Sequence, residues 1–447
     1  MLEPNLKDSS SMNFAPPYRA YRFWPVYAAA FTRTFSYAIY NLALPNYLVY
    51  FKHISADLLG IIVSILSFTY IAGPLLALQV TKHIGLKNTV VISAVGSFSL
   101  VAVQIIFLGV IADVGQTFGI IIFLRGLDGI ITGFYWPNVQ MEVSNWQRAG
   151  PPGLADKYFQ KYGLSWNVGI LAGDIAGYII VFSGHGNEFL ALIISAALMA
   201  TMIPATLKME RPDCIAFDGN KGIVYLEISD ATNRPANPLA VSEEASKPAL
   251  GNARIASPFL LAFPALFYLL GTMAYAYTKN LYPLIVPLAY NAATIPSSMV
   301  YLITFFYQSI AMFVIMAWSR LSAKSGYYTW LIAMIANAGF LAWLWAFPNV
   351  ISLTIAFLAN GALSGWLYNF TSKIMLEYGA ATNSLKYATY YEFYNGIGFA
   401  ASPLLAGFIA DTSLALNYPV NLVIVAVFIV VLLILGKNAR KFLKNGK

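Results

Sequence analysis

The chain contains twelve apolar stretches in two sets of six, and one hydrophilic stretch of about 50 residues separates the two sets. An apolar run of about 20 residues is long enough to cross the ~30 Å hydrocarbon core of a bilayer as a helix. Lipid offers the backbone no hydrogen-bond partners, so a chain that crosses it this often must be helical. The predicted fold is therefore an all-α integral membrane protein, with 12 transmembrane helices in two pseudo-symmetric six-helix bundles.

Composition agrees with this class, since 59% of the residues are hydrophobic and 10% are charged, against about 25% charged in soluble domains. We predict an N-terminal bundle over residues 1–207, a cytoplasmic linker over 208–257 and a C-terminal bundle over 258–447. Within the linker, residues 223–228 alternate in polarity and predict a short strand. The predicted spans are 24–50, 58–80, 89–112, 118–139, 162–183, 189–207, 258–281, 297–319, 329–347, 350–372, 387–410 and 420–436.

The positions of Lys and Arg predict the orientation. With both termini in the cytoplasm, all but four of the 27 basic residues lie on the cytoplasmic side, as the positive-inside rule requires. We therefore predict a multi-pass protein of the plasma membrane. The net charge of +8 is explained by this orientation and by contact with anionic membrane lipids, and it predicts no nucleic-acid partner.

The two halves share local patterns that predict an internal repeat. Tyr37-Ala38 precedes Pro45 in the first span, and Tyr275-Ala276 precedes Pro283 in the seventh. Residues 129–134 read GIITGF in the fourth span, and residues 361–366 read GALSGW in the tenth. Small residues four apart allow helix backbones to approach closely in lipid. Two similar halves joined by a polar linker are typical of alternating-access carriers.

With these motifs the chain resembles the major facilitator superfamily. The residues Arg125, Gly129 and Gly133 are similar to the conserved Arg-Gly motif of its fourth span. Gly169, Gly173 and Gly177 are similar to the Gly-Pro motif of the fifth span in its antiporters, with Asp174 in place of the proline. The residues that resemble the family's gating loop after the second span are Lys82, Gly85 and Lys87, with Lys82 where the family has Asp.

Six ionisable residues are predicted to lie within the spans, and each costs about 2.5–3.5 kcal/mol in hydrocarbon unless it faces protein, water or solute. They are Arg33, Arg125, Asp128, Asp174, Lys279 and Glu392. Asp128, Asp174 and Glu392 are the predicted proton-coupling residues. Two alternatives stay open: Arg125 and Asp128 form a structural ion pair, and Asp174 is bonded to a neighbouring Asn or Tyr.

The predicted solute site combines these charges with aromatic and amide side chains. The resemblance implies that the first and seventh helices line a central cavity, which places the stripes around Arg33 and Lys279 there. Lys279 has the alternative of extending to the outer surface, and isolated Asn or Gln residues the alternative of joining helices. The predicted substrate-binding residues are Arg33, Tyr37, Arg125, Trp136, Asn167, Tyr275, Lys279, Gln308 and Asn360.

These observations predict a secondary active transporter that moves a small polar organic solute, neutral or anionic, by alternating access with protons as the coupling ion. An efflux antiporter for amphipathic drugs and a membrane sensor that binds solute without moving it are the alternatives. The sequence shows no catalytic triad, metal-ligand spacing or phosphate loop. We therefore predict that the chain is not an enzyme, has no cofactor and no metal, and acts as a monomer.

Overall fold

The computed structural model describes residues 18–111, 114–149, 152–210, 215–218, 222–226, 258–318, 322–382 and 386–439. In the first half, six spans form nine helical segments because three of the spans are interrupted. The segments are α1 (Trp24–Tyr50), α2 (Ala56–Tyr70), α3 (Gly73–Ile84), α4 (Leu86–Val110), α5 (Val114–Gly133), α6 (Tyr135–Ala149), α7 (Pro152–Ser183), α8 (Glu188–Ala200) and α9 (Met202–Leu207).

The second half repeats the six spans with fewer interruptions. Its helices are α10 (Pro258–Leu261), α11 (Ala265–Ala292), α12 (Ser298–Trp318), α13 (Ala323–Ala346), α14 (Val350–Thr382), α15 (Lys386–Thr412) and α16 (Asn417–Leu435). All twelve predicted spans coincide with helical segments, so the predicted all-α, twelve-span fold class is confirmed.

Helix ends depart from the predicted spans where polar residues continue a helix beyond its apolar part. Helix α7 begins at Pro152 and α14 continues to Thr382, ten residues outside the predicted ends at 162 and 372. Hydropathy detects only the segment that lies in hydrocarbon. The break between α2 and α3 lies before Gly73-Pro74, since proline near the first position favours the start of a new helix.

Ten helices of the described residues are long and apolar enough to cross a membrane by length and composition. The first and seventh spans, α1 and α11, are not among them, although they have 27 and 28 residues. Each contains five tyrosines, which lower its mean hydropathy. Most of their residues are buried, including Tyr40 in α1 and Tyr282 in α11. They are the inner helices of the bundle, where protein rather than lipid surrounds the side chains.

A small sheet lies outside the helical bundle. Its strands are β1 (Tyr18–Ala20), β2 (Ile215–Asp218) and β3 (Gly222–Leu226), in the order β1-β3-β2 with both pairs antiparallel. The strand expected at 223–228 is therefore present over Gly222–Leu226, and residues 227 and 228 lie outside the described part. Through β1 and β3, the start of the linker is attached to the segment that precedes α1.

The two halves meet along two seams, α2 against α15 and α7 against α12. We name the end of the bundle that holds residues 51–55, 184–187 and 293–297 the first-loop end, and the opposite end the linker end. Near the first-loop end, a Cβ added to Gly60 would lie 2.8 Å from the carbonyl oxygen of Pro403 and 2.9 Å from Cα of Gly407. A Cβ on Gly177 would lie 2.5 Å from the Tyr301 ring. Both seams therefore close at this end through glycines.

We predict that Gly60→Ala or Gly407→Ala weakens closure of the first-loop end. The added methyl meets helix backbone, which cannot rotate away as a side chain can, and overpacking of this kind costs about 1–3 kcal/mol. Spin labels on Ser55→Cys and Thr412→Cys, both on exposed residues and with Cys214 replaced by Ser, should show a longer distance in either variant.

Gly339→Ala is the matched control, because a Cβ at that helical position meets nothing within 4 Å. It should leave the label distance unchanged. An unchanged distance in both Gly60→Ala and Gly407→Ala as well would mean that these glycines do not determine the separation of the halves.

Candidate functional site

A cavity of about 360 Å³, including its mouth, lies between α7 of the first half and α11, α12 and α14 of the second. Four of the predicted substrate-binding residues line it: Asn167, Tyr275, Lys279 and Gln308. The remaining lining residues are Trp166, Ile170, Ala311, Met312, Ile315, Ser364, Gly365 and Tyr368. The cavity is thus lined by both halves, with most of its wall from the second.

Lys279 is the charged residue of this wall. It lies in the middle of α11, one turn after Tyr275, and its ammonium donates to the Tyr275 hydroxyl at 3.2 Å. The Nζ atom also lies 5.6 Å from the centre of the Tyr275 ring and 5.9 Å from that of Phe399, within range of cation–π attraction. None of the described residues that line the cavity carries a carboxylate.

The neutral polar residues of the second half divide into two groups. Gln308 and Ser364 reach the cavity. Asn360 instead joins helices, because its Nδ2 donates to the Thr278 carbonyl at 3.2 Å and its Oδ1 accepts from Asn337 at 3.0 Å. Of the two amides predicted to bind solute in this half, the structure brings Gln308 and not Asn360 to the cavity wall.

The first half holds a buried polar network around Asp128. Arg125 lies 3.8 Å from its carboxylate in an ion pair one helical turn away, and both side chains are at most 5% exposed. The Tyr37 hydroxyl donates to Oδ1 of Asp128 at 2.7 Å and lies 3.2 Å from Thr132. Arg125 also donates to Asn41 at 3.4 Å. This network joins α1 to α5, and none of its members is among the cavity-lining residues.

Arg33 lies between two aromatic rings in the same half. Its guanidinium carbon is 4.8 Å from the centre of the Tyr37 ring and 4.3 Å from that of Tyr135, and the residue is 1% exposed. Trp136, the next residue, is partly buried and contacts the Tyr135 ring edge-on. Like Arg125 and Trp136, Arg33 lies away from the cavity wall.

Asp174 is a buried carboxylate on α7, in the part of that helix that packs against α1 and α12. It is 1% exposed, and within the described residues its Oδ2 has no hydrogen-bond partner. The glycines beside it pack closely: Gly173 against the Phe35 carbonyl and Ala38 of α1, and Gly177 against Tyr301 of α12. The neighbouring Asn167 donates instead to the Gly163 carbonyl at 2.8 Å.

Glu392 connects the two halves on the side of the α2–α15 seam nearer the linker end. Its Oε2 accepts from the Tyr70 hydroxyl at 3.1 Å, and its Oε1 accepts from Gln140 at 3.3 Å. Both donors belong to the first half and Glu392 to the second. A movement that separates the halves at this position must break both hydrogen bonds.

The predicted gating loop is a tight connection between α3 and α4. Gly85 has φ +82°, a conformation that strains any other residue. Lys82 lies exposed in the last turn of α3, and Lys87 is half-buried at the start of α4. Lys82 thus lies at the C-terminal end of α3, where the helix dipole is negative and favours a cation.

The sequence reasoning missed three buried carboxylates among the described residues, Glu142, Glu188 and Glu210. Glu188 is 0% exposed and accepts from the Tyr301 hydroxyl at 2.5 Å. Glu142 is also 0% exposed and accepts from the Tyr21 hydroxyl. The predicted sixth span began at residue 189, one residue after Glu188, and the fourth ended at residue 139. The sequence could have predicted that this helix begins at Glu188. Asn187 caps α8, and an acidic residue is favourable in the first turn of a helix.

Comparison with known proteins identifies the family. The family model described as Major Facilitator Superfamily matches residues 26–281, more than half of the chain. The chain belongs to the Major Facilitator Superfamily. It is a multi-pass membrane transporter of the secondary type and not an enzyme, and members of this superfamily carry small-molecule solutes.

Solved structures show the same fold. The crystal structure of the nucleoside transporter NupG aligns with a TM-score of 0.63 and 13% identity, covering 93% of this chain and 99% of that one. A mutant of NupG aligns with a TM-score of 0.61 and 14% identity, covering 95% of this chain and 100% of that one. At this identity the likeness concerns the fold alone. No curated protein matches the chain in sequence.

We predict that Arg125 and Asp128 depend on each other for stability. Removing one member of a buried ion pair leaves an uncompensated charge and costs about 3–5 kcal/mol, whereas removing both leaves none. Arg125→Gln and Asp128→Asn should each destabilise the purified protein, and the double variant should lose less than the sum of the two, measured by thermal or chemical unfolding in detergent. Strictly additive losses would show that the two side chains do not interact energetically.

Proposed function

We propose that this carrier moves a small polar organic solute with one net negative charge, by alternating access, with protons as the coupling ion. We further propose that it acts as a monomer in the plasma membrane with both termini in the cytoplasm. The orientation is supported by the distribution of Lys and Arg, since all but four of the 27 basic residues then face the cytoplasm.

The observation that carries the solute class is the single positive charge of the cavity. The Lys279 ammonium is half-buried, and none of the described residues on the cavity wall offers a carboxylate to neutralise it. A cation in a low-dielectric cleft raises the local concentration of anions and favours their binding over that of cations. Cationic amphipathic drugs are disfavoured for the same reason, so efflux of such drugs is the weaker proposal.

The remaining polar groups of the cavity fit a solute with hydrogen-bonding groups and a flat face. Asn167 and Gln308 offer amides from opposite halves, while Trp166, Tyr275 and Tyr368 offer aromatic surfaces. Small-molecule sites commonly combine apolar walls with a few polar groups of this kind.

Alternating access is supported by the position of the cavity and by two kinds of contact between the halves. The cavity lies between the halves. Along the α2–α15 seam, the halves are joined by close packing near one end and by hydrogen bonds nearer the other. Glycine packing joins Gly60 to Gly407 near the first-loop end, whereas Glu392 bonds to Tyr70 on the side nearer the linker end. Breaking one set while keeping the other would open the cavity to one side at a time.

Proton coupling is supported by the buried carboxylates. Asp174 has no cation paired with it among the described residues, while Asp128 is paired with Arg125 and Glu392 is bonded to neutral donors. An ionised carboxylate buried without a cation carries a penalty of several kcal/mol, and a bound proton removes it. Asp174 is therefore our first choice for the coupling residue, with Asp128 and Glu392 as further members.

A neutral nucleoside is a second candidate solute, favoured by one observation. The solved structures of NupG, described as a nucleoside transporter, share this fold. The aromatic and amide lining described above would also suit a flat base with hydrogen-bonding edges. The two candidates differ in their need for Lys279, because a neutral solute gains little from an ammonium group.

We predict that Lys279→Gln weakens binding of anionic solutes by at least about tenfold, which corresponds to about 1.4 kcal/mol. A hydrogen bond to a charged group contributes about 1.5–3 kcal/mol, and the variant loses it. Purified protein should be screened by thermal shift against organic acids, sugars and nucleosides, and the affinity of each hit measured for wild type and variant.

The matched control is Lys437→Gln, which removes the same charge from an exposed position at the end of the twelfth span. It should leave solute affinity unchanged. If a nucleoside binds and its affinity survives Lys279→Gln, the anion proposal fails and the neutral nucleoside replaces it.

We predict that Asp174→Asn abolishes accumulation driven by a proton gradient while solute exchange continues, because the amide is uncharged and cannot release a proton. Uptake and counterflow in proteoliposomes separate the two activities. Asp411→Asn, on an exposed residue at the first-loop end of α15, is the control and should accumulate solute normally. Concentrative uptake by Asp174→Asn at the wild-type level would remove Asp174 from coupling.

A further inference from the structure

Glu188 lies at a junction of both halves at the first-loop end. It is the first residue of α8 in the first half and is 0% exposed. Its Oε2 accepts from the hydroxyl of Tyr301, which belongs to α12 in the second half, at 2.5 Å. The Tyr301 ring also lies directly over Gly177 of α7. The carboxyl group is therefore covered by a side chain that must withdraw when this end opens.

The groups around Glu188 provide no compensating cation. Within the described residues no Lys, Arg or His forms an ion pair with it. The titratable groups that interact with it or with its partner are Tyr50 from α1, Tyr301 from α12 and, through Tyr301, Asp174 from α7. His185, three residues earlier, is exposed. While this end is closed, a charged Glu188 is compensated by neutral hydrogen-bond donors, Ser297, Tyr301 and Asn46, and by no cation of the described residues. When the end opens, water solvates the charge.

Asn46 of α1 supplies a second, independent observation. Its amide nitrogen donates only weakly to Oε1 of Glu188, at 3.5 Å. Its buried Oδ1 has no hydrogen-bond partner among the described residues. A protonated carboxyl group carries one O–H donor and an ionised one carries none. A proton on Glu188 would give the Asn46 amide oxygen, after rotation of the amide, the donor that it lacks.

We propose that Glu188 is an additional coupling residue of the carrier, which binds a proton as the first-loop end closes under Tyr301 and releases it as that end opens. The proposal rests on the proposed proton coupling and adds a site to it. Asp174 and Glu188 flank the same tyrosine from the same half, so one movement of α12 uncovers both. Closure of this end is then linked to proton binding even without solute.

The test measures opening of the first-loop end without solute. Spin labels are placed on Ser183→Cys and Ala293→Cys, two exposed residues on opposite halves at that end, with Cys214, the one cysteine of the chain, replaced by Ser. Distance distributions in lipid nanodiscs are recorded from roughly pH 5 to pH 9, the range over which buried carboxyl groups titrate. The open fraction of the unsubstituted protein should rise with pH, by at most about tenfold per pH unit in the open-to-closed ratio for one proton.

Three variants test a coupling role against a purely structural one. Glu188→Gln keeps the size and polarity of the side chain but does not titrate, so at least part of the pH response should disappear. Glu188→Asp retains a carboxyl group and should retain the response, which a role in packing alone would not predict. Tyr301→Phe removes the hydrogen bond and should lower the closed fraction while the response to pH persists.

Asp174→Asn in the same labelled background separates this proposal from proton coupling at Asp174. A response that is unchanged in Glu188→Gln overturns the proposal for Glu188, whether or not Asp174→Asn removes it. In that case proton-driven accumulation by the carrier and its loss in Asp174→Asn remain measurable in proteoliposomes. Absence of any pH response in the unsubstituted protein also overturns the proposal for Glu188.

Discussion

The close approach of helix backbones at glycines is the interaction on which this bundle depends. In lipid, apolar side chains gain nothing by moving from hydrocarbon into a protein interior, so helices associate through packing and hydrogen bonds. Within the first half, Gly133 lies against Gly73, and Gly169 lies against the Phe31 carbonyl. Between the halves, Gly60 lies against Gly407. The same kind of contact therefore builds each half and closes one end of the seam between them.

The second constraint is the free-energy cost of burying a charged side chain in a bundle that excludes water. The two halves compensate their charged side chains differently. In the first half Arg125 is paired with Asp128, and the guanidinium of Arg33 lies between aromatic rings. In the second half Lys279 has a hydroxyl and rings as neighbours and faces a cavity. In the function that we propose, a solute anion would pair with that cation, and buried carboxylates would carry the protons.

The spans were predictable in number and position because hydropathy over about 20 residues is a local property of the chain. The predicted first span has the same ends as α1, Trp24–Tyr50. The interruptions and the ends were less predictable. Polar segments such as residues 152–161 continue α7 beyond hydrocarbon, and a span assigned from residue 189 placed Glu188 in a loop although it is the first residue of a buried helix. An error of one residue was enough to hide a buried carboxylate.

By itself the sequence determined the membrane class, the twelve spans, the two halves and most of the residues that carry charge within the spans. Only the tertiary structure decided which of those charges have partners and which reach the cavity. Arg33 and Lys279 lie on corresponding helices of the two halves, the first and seventh spans, yet Arg33 is enclosed by tyrosine rings and Lys279 lines the cavity. The physical reason is that helical periodicity predicts on which face of its own helix a residue lies. The residue's partner belongs to another helix, whose rotation and distance depend on packing throughout the bundle.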